Sequence, residues 1–223
     1  MRSRPVITID GPSGAGKTTV SKRLAEAAGM IRIDTGAMYR AVALASRRAG
    51  VPWDDPARLG GVARILALSF RTVEGAPHVF LSEEDVSDAI RTPEISMGAS
   101  AVSAHGPVRE ALGEKQREMA REGGVVLEGR DTGTVVFPDA EAKFFLDAAA
   151  AVRARRRYLE VSPPGEQSFE EVLRDVLRRD VQDSTRENSP LRVADGAVYI
   201  DTTTMTVDEV VGEMLRRLPG VPR

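Results

Sequence analysis

The sequence predicts an α/β fold in which helices cover a parallel sheet. A glycine-rich loop at residues 11–18 lies between an apolar strand segment and a helical segment, which is the position of a phosphate loop at a first strand-to-helix crossover. Strand and helix patterns then alternate along most of the chain. One stretch departs from this alternation, because residues 68–81 have the pattern of a hairpin. We therefore expect one small antiparallel insertion, at about residues 60–92.

The composition of the 223-residue chain indicates one globular domain, or one domain with an inserted piece. Apolar residues make up 42% and charged residues 29%, and no apolar run approaches the ~20 residues that cross a bilayer. The first residues lead into a strand without a signal-peptide pattern. The chain has no cysteine, which excludes disulfides and cysteine metal sites. We expect a cytoplasmic protein without a membrane role, and a monomer because no strong exposed apolar stripe stands out.

The charge pattern argues against nucleic acid as a partner. The formal net charge is -2, whereas a general nucleic-acid binder usually carries a basic excess. The densest basic cluster, at residues 153–157, belongs to a region, residues 153–192, that holds nine arginines and eight acidic residues. This mixed charge favours a lid over a nucleotide site, and we expect no nucleic-acid partner.

The segment Val6–Thr19 carries the clearest local motif. It reads VITIDGPSGAGKTT and matches GxxxxGK(S/T) at every fixed position. Its glycines allow the backbone to curl so that several N–H groups surround a phosphate chain. Lys17 can reach the β- and γ-phosphates, and the Thr18 hydroxyl can bind the accompanying Mg2+. The expected ligand is Mg-ATP or Mg-GTP, and the expected binding residues are Gly11, Pro12, Ser13, Gly14, Ala15, Gly16, Lys17, Thr18 and Thr19.

Glycine and proline residues indicate where helices begin and end in the chain up to residue 124. Gly29 can end the first helix, and Pro56 and Pro93 each stand at a helix start. His105 is the only other histidine, so we expect His78 to be a surface strand residue rather than a metal ligand. The predicted elements are a strand at 30–33 ending at Asp34, helices from 34 to 50, from 56 over about twelve residues, from 93 and from 106 to 123–124, and a hairpin of strands 68–73 and 78–81.

The second half of the chain returns to alternating strands and helices. Ser168 and Thr206 each begin a capping box, with a glutamate three residues later. Asp147 is the expected cap of a helix at 148–160, and the Pro-Pro-Gly segment within Val161–Gln167 is the clearest flexible loop. The predicted elements are strands at 125–127, 142–146 and 197–200, and helices at 148–160, from 168 and from 206.

Charged side chains follow the ends of several predicted strands. Arg40 and Arg130 come soon after two of them, and further arginines fall at 153–157 and 179–186. Ligands of parallel α/β sheets bind at the carboxyl edge, where these strand ends meet. Phosphoryl transfer needs alignment of donor and acceptor and cancellation of charge on the transferred group. We therefore expect these arginines to converge on the phosphate loop.

Six segments together resemble the bacterial cytidylate kinases of the nucleoside monophosphate kinase superfamily, and the resemblance extends from Pro5 to about Met214. Two residues depart from the usual family segments, since Thr35 replaces a frequent serine and Glu128 a frequent aspartate. The segments are GPSGAGKTT, DTGAMYR, EDVSDAIRTPE, ASAVSAHGPVREAL, EGRDTGTVVFPDA and RRDVQDSTRENSPL.

This resemblance implies a three-layer P-loop NTPase core with a parallel sheet, a small antiparallel NMP-binding insert and a mobile lid. The core would comprise residues 1–59 and 93–223, the insert residues 60–92, and the lid about 153–168. The resemblance also implies an enzyme of pyrimidine nucleotide metabolism that uses ATP and Mg2+ to phosphorylate CMP, and also dCMP, to CDP and dCDP.

The resemblance further implies a role for each matching residue. The phosphate of CMP would be bound by Arg40, Arg130 and Arg186. Ser100, Arg109 and Asp131 would read the cytosine edge, Arg179 and Asp183 would hold the ribose hydroxyls, and Thr35 would also belong to the CMP site. The catalytic set would be Lys17, Arg130, Arg153, Arg156 and Arg157, the last three on the lid over the ATP phosphates.

Two other function classes share the phosphate loop. A small-molecule kinase of the shikimate type, or another nucleoside monophosphate kinase, would use the same donor site, but the shikimate type needs neither a 30-residue insert nor residues suited to a base. A GTPase switch should carry an NKxD guanine motif, which the sequence lacks. Turnover of different acceptors separates these classes.

Overall fold

The computed structural model describes residues 2–73, 76–161 and 167–218. The chain divides into two units, Met1–Arg32 with Ala120–Arg223, and Ile33–Met119. The strands are β1 (Val6–Asp10), β2 (Ile31–Asp34), β3 (Leu68–Val73), β4 (Ala76–Leu81), β5 (Glu84–Asp85), β6 (Val125–Gly129), β7 (Ala142–Asp147) and β8 (Val198–Asp201). The helices are α1 (Lys17–Ala28), α2 (Thr35–Arg48), α3 (Pro56–Ile65), α4 (Pro93–Val102), α5 (Gly106–Met119), α6 (Ala150–Val161), α7 (Phe169–Thr185) and α8 (Val207–Leu215).

The main sheet has five strands in the order β2-β6-β1-β7-β8. The central strand β1 pairs in parallel with β6 and β7, and β7 pairs in parallel with β8. Asp10, the last residue of β1, lies level with Gly129 and Phe145. Every residue of β1 and β6 is buried, as in parallel sheets covered on both faces. The predicted α/β class with a parallel sheet is confirmed.

Helices α1 and α8 pack on this sheet through one apolar core. Val20 and Leu24 of α1 and Met214 of α8 are buried against Ile7 and Phe144 of the strands. The α1 residues lie four positions apart, so one face of the helix carries them. This core fixes the start of α1 at the end of β1, which is where the phosphate loop lies.

Helices α6 and α7 pack against each other in the same unit. Ala154 of α6 is buried with Val172 and Val176 of α7, and Tyr158 meets Phe169 edge-on with ring centroids 6.4 Å apart. The capping box predicted at Ser168 is present, as is the one at Thr206. The arginines of α6 are therefore held on a regular helix.

The second unit contains an antiparallel sheet of three strands. Its order is β3-β4-β5, and β3 pairs with β4 from Leu68 opposite Leu81 to Val73 opposite Ala76. The predicted hairpin is confirmed, although its second strand begins two residues earlier and a third strand follows. Glu74 and Gly75, which were predicted to belong to the turn, lie outside the described residues.

The helices of the second unit pack closely in pairs, α2 with α4 and α3 with α5. Trp53 donates through Nε1 to the Ala43 oxygen and to the Ser46 hydroxyl, both at 3.2 Å. Its ring lies directly against Gly98 of α4, where a Cβ atom would be only 2.4 Å away. A residue without a side chain is needed at this contact.

The predicted boundaries of α5 and α6 are wrong. The helix expected to reach 123–124 ends at Met119. The helix expected at 148 begins at Ala150, and Asp147 accepts instead from the Ala148 N–H at 2.7 Å. A residue distant in sequence, Thr203, accepts from the Ala149 N–H at 3.0 Å, so a tertiary contact replaces the expected local cap.

The proposed limits of insert and lid stay predictions. Residues 60–65 belong to α3, and the antiparallel strands occupy residues 68–85. The predicted lid includes α6 residues, but its loop, Ser162–Glu166, lies outside the described residues. None of the helices in the described part of the chain has the length and apolar character needed to cross a membrane.

Candidate functional site

The phosphate loop connects β1 to α1 through a backbone that requires glycine. Gly11 has φ 148° and Gly14 has φ 79°, which are values that side chains disfavour. A Cβ atom at Gly11 would lie 1.9 Å from the Leu146 oxygen, and one at Gly14 would meet Arg153. Gly16, the N-cap residue of α1, has no side chain to cap the first turn. The first N–H groups of this helix thus receive no bond from the N-cap residue, which is the arrangement that the motif predicts for binding an anion.

Lys17 lies at the first position of α1 and is buried. Its ammonium donates to the main-chain oxygens of Gly11 and Pro12, each at 2.7 Å. Burial and, after it, the charge of Arg130 lower the pKa of Lys17 well below its ordinary value. A phosphate beside this ammonium would raise the pKa again, so anion binding and the charged form of Lys17 favour each other.

Thr18 and Glu128 bring two oxygen donors together beside the loop. The Thr18 hydroxyl donates to Glu128 Oε2 at 2.9 Å. No group of three His, Asp or Glu side chains converges to hold a metal within residues 2–73, 76–161 and 167–218. Mg2+ commonly takes one or two protein oxygens and completes its shell with water and substrate phosphates. The Thr18 and Glu128 oxygens therefore fit a magnesium ion that arrives with the nucleotide.

Asp10 fixes the segment that follows β6, a π-helical turn at Thr132–Val136. Its carboxylate accepts from the Thr132 N–H at 2.9 Å, the Thr132 hydroxyl at 2.7 Å and the Gly133 N–H at 2.7 Å. Burial raises the pKa of Asp10 despite these three hydrogen bonds. The sequence prediction missed Asp10, although an acidic residue ending a buried strand next to the loop was a usable signal.

Four predicted CMP-binding residues form one charged cluster at the ends of β6 and α7. Arg130 Nε donates to Asp183 Oδ2 at 2.7 Å. Arg186 lies 3.8 Å from both Asp131 and Asp183. Burial alone would raise the pKa of Asp183, but the charge and hydrogen bond of Arg130 lower it below its ordinary value. Arg179 lies one turn before Asp183 on α7, and its charge lowers this pKa further.

The three predicted lid arginines differ in their surroundings. Arg153 is 5% exposed, donates to the Ser13 oxygen at 3.2 Å and pairs with Asp180 through both terminal nitrogens. Arg156 also approaches the loop, where it donates to the Gly14 main-chain oxygen at 3.5 Å, and it donates to the Thr202 main-chain oxygen at 2.7 Å. Arg157 instead pairs with Glu160 of the same helix. Two of the three arginines thus lie against the phosphate loop.

Four predicted site residues belong to the second unit, namely Thr35, Arg40, Ser100 and Arg109. Thr35 is buried at the start of α2. Arg40 pairs with Asp34 at 3.1 Å, and its buried Nε has no hydrogen-bond partner among the described residues. A ligand oxygen within hydrogen-bond reach would satisfy this donor.

Arg109 and Ser100 are joined through the turn after α4. Arg109 is buried and donates to the Ser103 main-chain oxygen at 3.0 Å, while the Ser103 hydroxyl donates to the Ser100 main-chain oxygen at 2.9 Å. The Arg109 guanidinium also lies over the Tyr39 ring, 5.4 Å from its centroid. Tyr39 was missed by the sequence prediction, although it lies inside the DTGAMYR segment.

Comparison with known proteins identifies the same family over almost the whole chain. The family model described as cytidylate kinase matches residues 7–219. A cytidylate kinase from Geobacter sulfurreducens is 54% identical over 210 residues, which are 94% of this chain and 90% of that protein. A cytidylate kinase from Syntrophotalea carbinolica is 50% identical over 217 residues, which are 97% of this chain and 92% of that protein.

A comparison of folds adds one solved structure. An uncharacterized protein from Eubacterium ventriosum matches with a TM-score of 0.52 and 11% identity, covering 98% of this chain and all of the other. This match concerns the fold alone, and it agrees with the α/β architecture described above.

Proposed function

Because the chain belongs to the cytidylate kinase family and is accordingly an enzyme that phosphorylates CMP, we propose that its phosphate loop binds Mg-ATP and that the arginine clusters bind the acceptor. The observation that carries this proposal is the Arg130–Asp183–Arg186 cluster at the end of β6. This strand pairs with β1, which leads directly into the loop. This arrangement supports a second phosphate site beside the donor site.

The donor half is proposed to work mainly by charge cancellation. Lys17 would exchange its bonds to loop carbonyls for the β- and γ-phosphates, and the first turn of α1 would donate N–H groups. Magnesium, when bound with ATP, neutralises charge on the β- and γ-oxygens. Thr18 and Glu128 are the residues we propose to hold that ion.

For the acceptor half we propose that Arg40, Arg130 and Arg186 bind the phosphate of CMP. The Nε of Arg40, which has no hydrogen-bond partner in the described part of the chain, supports this role, because a phosphate oxygen would satisfy it. A phosphate oxygen of CMP then attacks the γ-phosphorus of ATP. One oxygen–phosphorus bond forms, the bond to the β–γ bridging oxygen breaks, and ADP leaves. The attacking oxygen carries no proton at neutral pH, so no general base is needed.

Base selection is proposed for Ser100, Arg109 and Asp131. Cytosine offers an amino donor and the N3 and O2 acceptors, which a carboxylate, an arginine and a hydroxyl can match. Uracil would turn a donor towards Arg109 and an acceptor towards Asp131, at a cost of about 1–3 kcal/mol for each unsatisfied group. We therefore expect discrimination against UMP, and acceptance of dCMP as a second substrate.

The remaining roles follow the family pattern. We propose that Arg179 and Asp183 hold the ribose hydroxyls, that Thr35 completes the CMP site, and that a lid at about 153–168 covers the ATP phosphates and excludes water. We further propose a monomeric cytoplasmic enzyme of pyrimidine nucleotide metabolism with Mg2+ as its cofactor.

A coupled assay of ATP consumption against several acceptors tests this function. CMP should give the highest kcat/KM, dCMP should also turn over, and UMP, AMP and shikimate should be poor acceptors. Fast turnover of shikimate or AMP in preference to CMP would contradict the proposal. Slow hydrolysis of GTP alone, without an acceptor, would favour a nucleotide switch instead.

A further inference from the structure

Arg32, the second residue of β2, holds one oxygen of the Glu128 carboxylate beside the phosphate loop. We propose that Arg32 is a positioning residue for phosphoryl transfer, because it fixes Glu128 so that Thr18 presents its lone pairs to the divalent cation bound with ATP. This inference rests on the proposed function. It concerns a side chain outside the segments that carry the family resemblance.

The two oxygens of Glu128 have separate partners. Oε2 accepts from the Thr18 hydroxyl at 2.9 Å. Oε1 accepts from the Ser21 hydroxyl at 3.1 Å and from Arg32 through Nε, at 2.9 Å, and Nη2. The Glu128 residue is 4% exposed. Rotation of this carboxylate would therefore break bonds to α1 and β2 at once and leave a buried charge poorly solvated.

The orientation of Thr18 follows from that of Glu128. A hydroxyl has one hydrogen and two lone pairs, and Thr18 gives its hydrogen to the carboxylate. The lone pairs are then the part of the hydroxyl that remains for another ligand. Divalent cations bind oxygen lone pairs, so this hydrogen bond prepares Thr18 as a cation ligand.

Arg32 acts on cation binding in two opposite ways. Its charge repels a nearby cation. Its bonds to Glu128 Oε1, in contrast, hold the Glu128 carboxylate that orients the Thr18 hydroxyl. Lysine at this position would keep the charge but would lose the planar pair of N–H donors. The two effects therefore predict opposite results when the charge is removed, and when lysine keeps the charge only the loss of positioning predicts a change.

Isothermal titration calorimetry of ATP with Mg2+ and with EDTA gives the test. The Kd with EDTA divided by the Kd with Mg2+ measures how much magnesium strengthens ATP binding. Arg32→Met should lower this ratio about ten-fold, the scale typical for loss of a residue that orients a metal ligand. Arg32→Lys should lower it in the same direction, and Ser21→Ala, which removes another bond to Oε1, should do so more weakly. The KM for CMP should stay within about two-fold of wild type.

The control is Arg23→Met, which removes an exposed arginine of α1 that pairs with Asp208 at 3.4 Å. This variant should leave the ratio unchanged. An unchanged or increased ratio in Arg32→Met, or a wild-type ratio in Arg32→Lys, would overturn the inference. If Arg32→Met does not fold by circular dichroism, Arg32→Lys and Ser21→Ala decide the question by the same criterion. Failure of the wild type to phosphorylate CMP, with the ratio still lowered in the variants, would instead count against the proposed function alone.

Discussion

Asp131 is a buried carboxylate whose hydrogen-bonding type suits the amino group of cytosine. It lies near Arg186, and the two residues join the cluster that also includes Arg130 and Asp183. An acidic side chain is costly to bury without partners. Its place in this charged cluster supports the proposal that one site binds both the phosphate and the base of CMP.

Replacement of Asp131 tests the base-reading role at the scale of one residue. Asp131→Asn keeps the size of the side chain but removes its charge and replaces one of its two acceptor oxygens with an N–H donor. One unsatisfied buried group costs about 1–3 kcal/mol, so kcat/KM for CMP should fall about 5- to 150-fold, while the KM for ATP should change less than about two-fold.

Asp139→Asn is the matched control, because Asp139 is an exposed aspartate that pairs with Arg2 at 2.9 Å. It should leave both kinetic parameters near those of wild type. Steady-state kinetics with each substrate varied in turn provide the measurement. Equal losses for CMP and ATP in Asp131→Asn would speak against a role in reading the base.

At the scale of secondary-structure elements, the second unit depends on close packing between α4 and Trp53. The absence of a side chain at Gly98 lets the indole ring lie directly against the helix. The same ring donates to α2 at Ala43 and Ser46, so it links two helices. Rigid aromatic rings cannot move aside cheaply in a close-packed interior.

Gly98→Ala should therefore destabilise the protein, even though alanine is the better helix former. Its Cβ would lie 2.4 Å from the ring, and such overpacking typically costs about 1–3 kcal/mol. The melting temperature should fall by roughly 2–4 °C for each kcal/mol lost. Thermal unfolding, followed by circular dichroism and by the fluorescence of the single tryptophan, measures the change.

Gly61 of α3 provides the matched control, since a Cβ atom there meets nothing within 4 Å. Gly61→Ala should stabilise the protein by about 0.5–1 kcal/mol through helix propensity. If both substitutions raised the melting temperature, the contact between Gly98 and Trp53 would not be tight enough for an added Cβ atom to destabilise the protein.

At the scale of the whole molecule, local signals in the sequence predicted most of the architecture. The phosphate loop, both capping boxes and the hairpin are confirmed because their determinants lie within a few residues of each other. Asp147 was misjudged because a residue distant in sequence, Thr203, bonds the N–H that a local cap would take. Local sequence patterns therefore predict the features that depend on residues close in sequence, and they miss those that depend on distant contacts.

The candidate site shows the same division between local and distant determinants. Arg130 and Asp183 were predicted by resemblance, and the structure brings these two side chains together. The contacts of Glu128 with Arg32 and of Arg153 with Asp180 were not predicted, because they depend on which strands and helices become neighbours in space. The sequence contains these residues but not their pairing.

The central claim is that the protein transfers the γ-phosphate of ATP to CMP. Phosphorus NMR of ATP, Mg2+ and CMP with the purified protein tests it most directly, with Lys17→Met as the inactive control. We predict one CDP formed for each ATP consumed and no ATP loss when CMP is omitted. Inorganic phosphate accumulating without CDP, or equal ATP loss with and without CMP, would contradict the account.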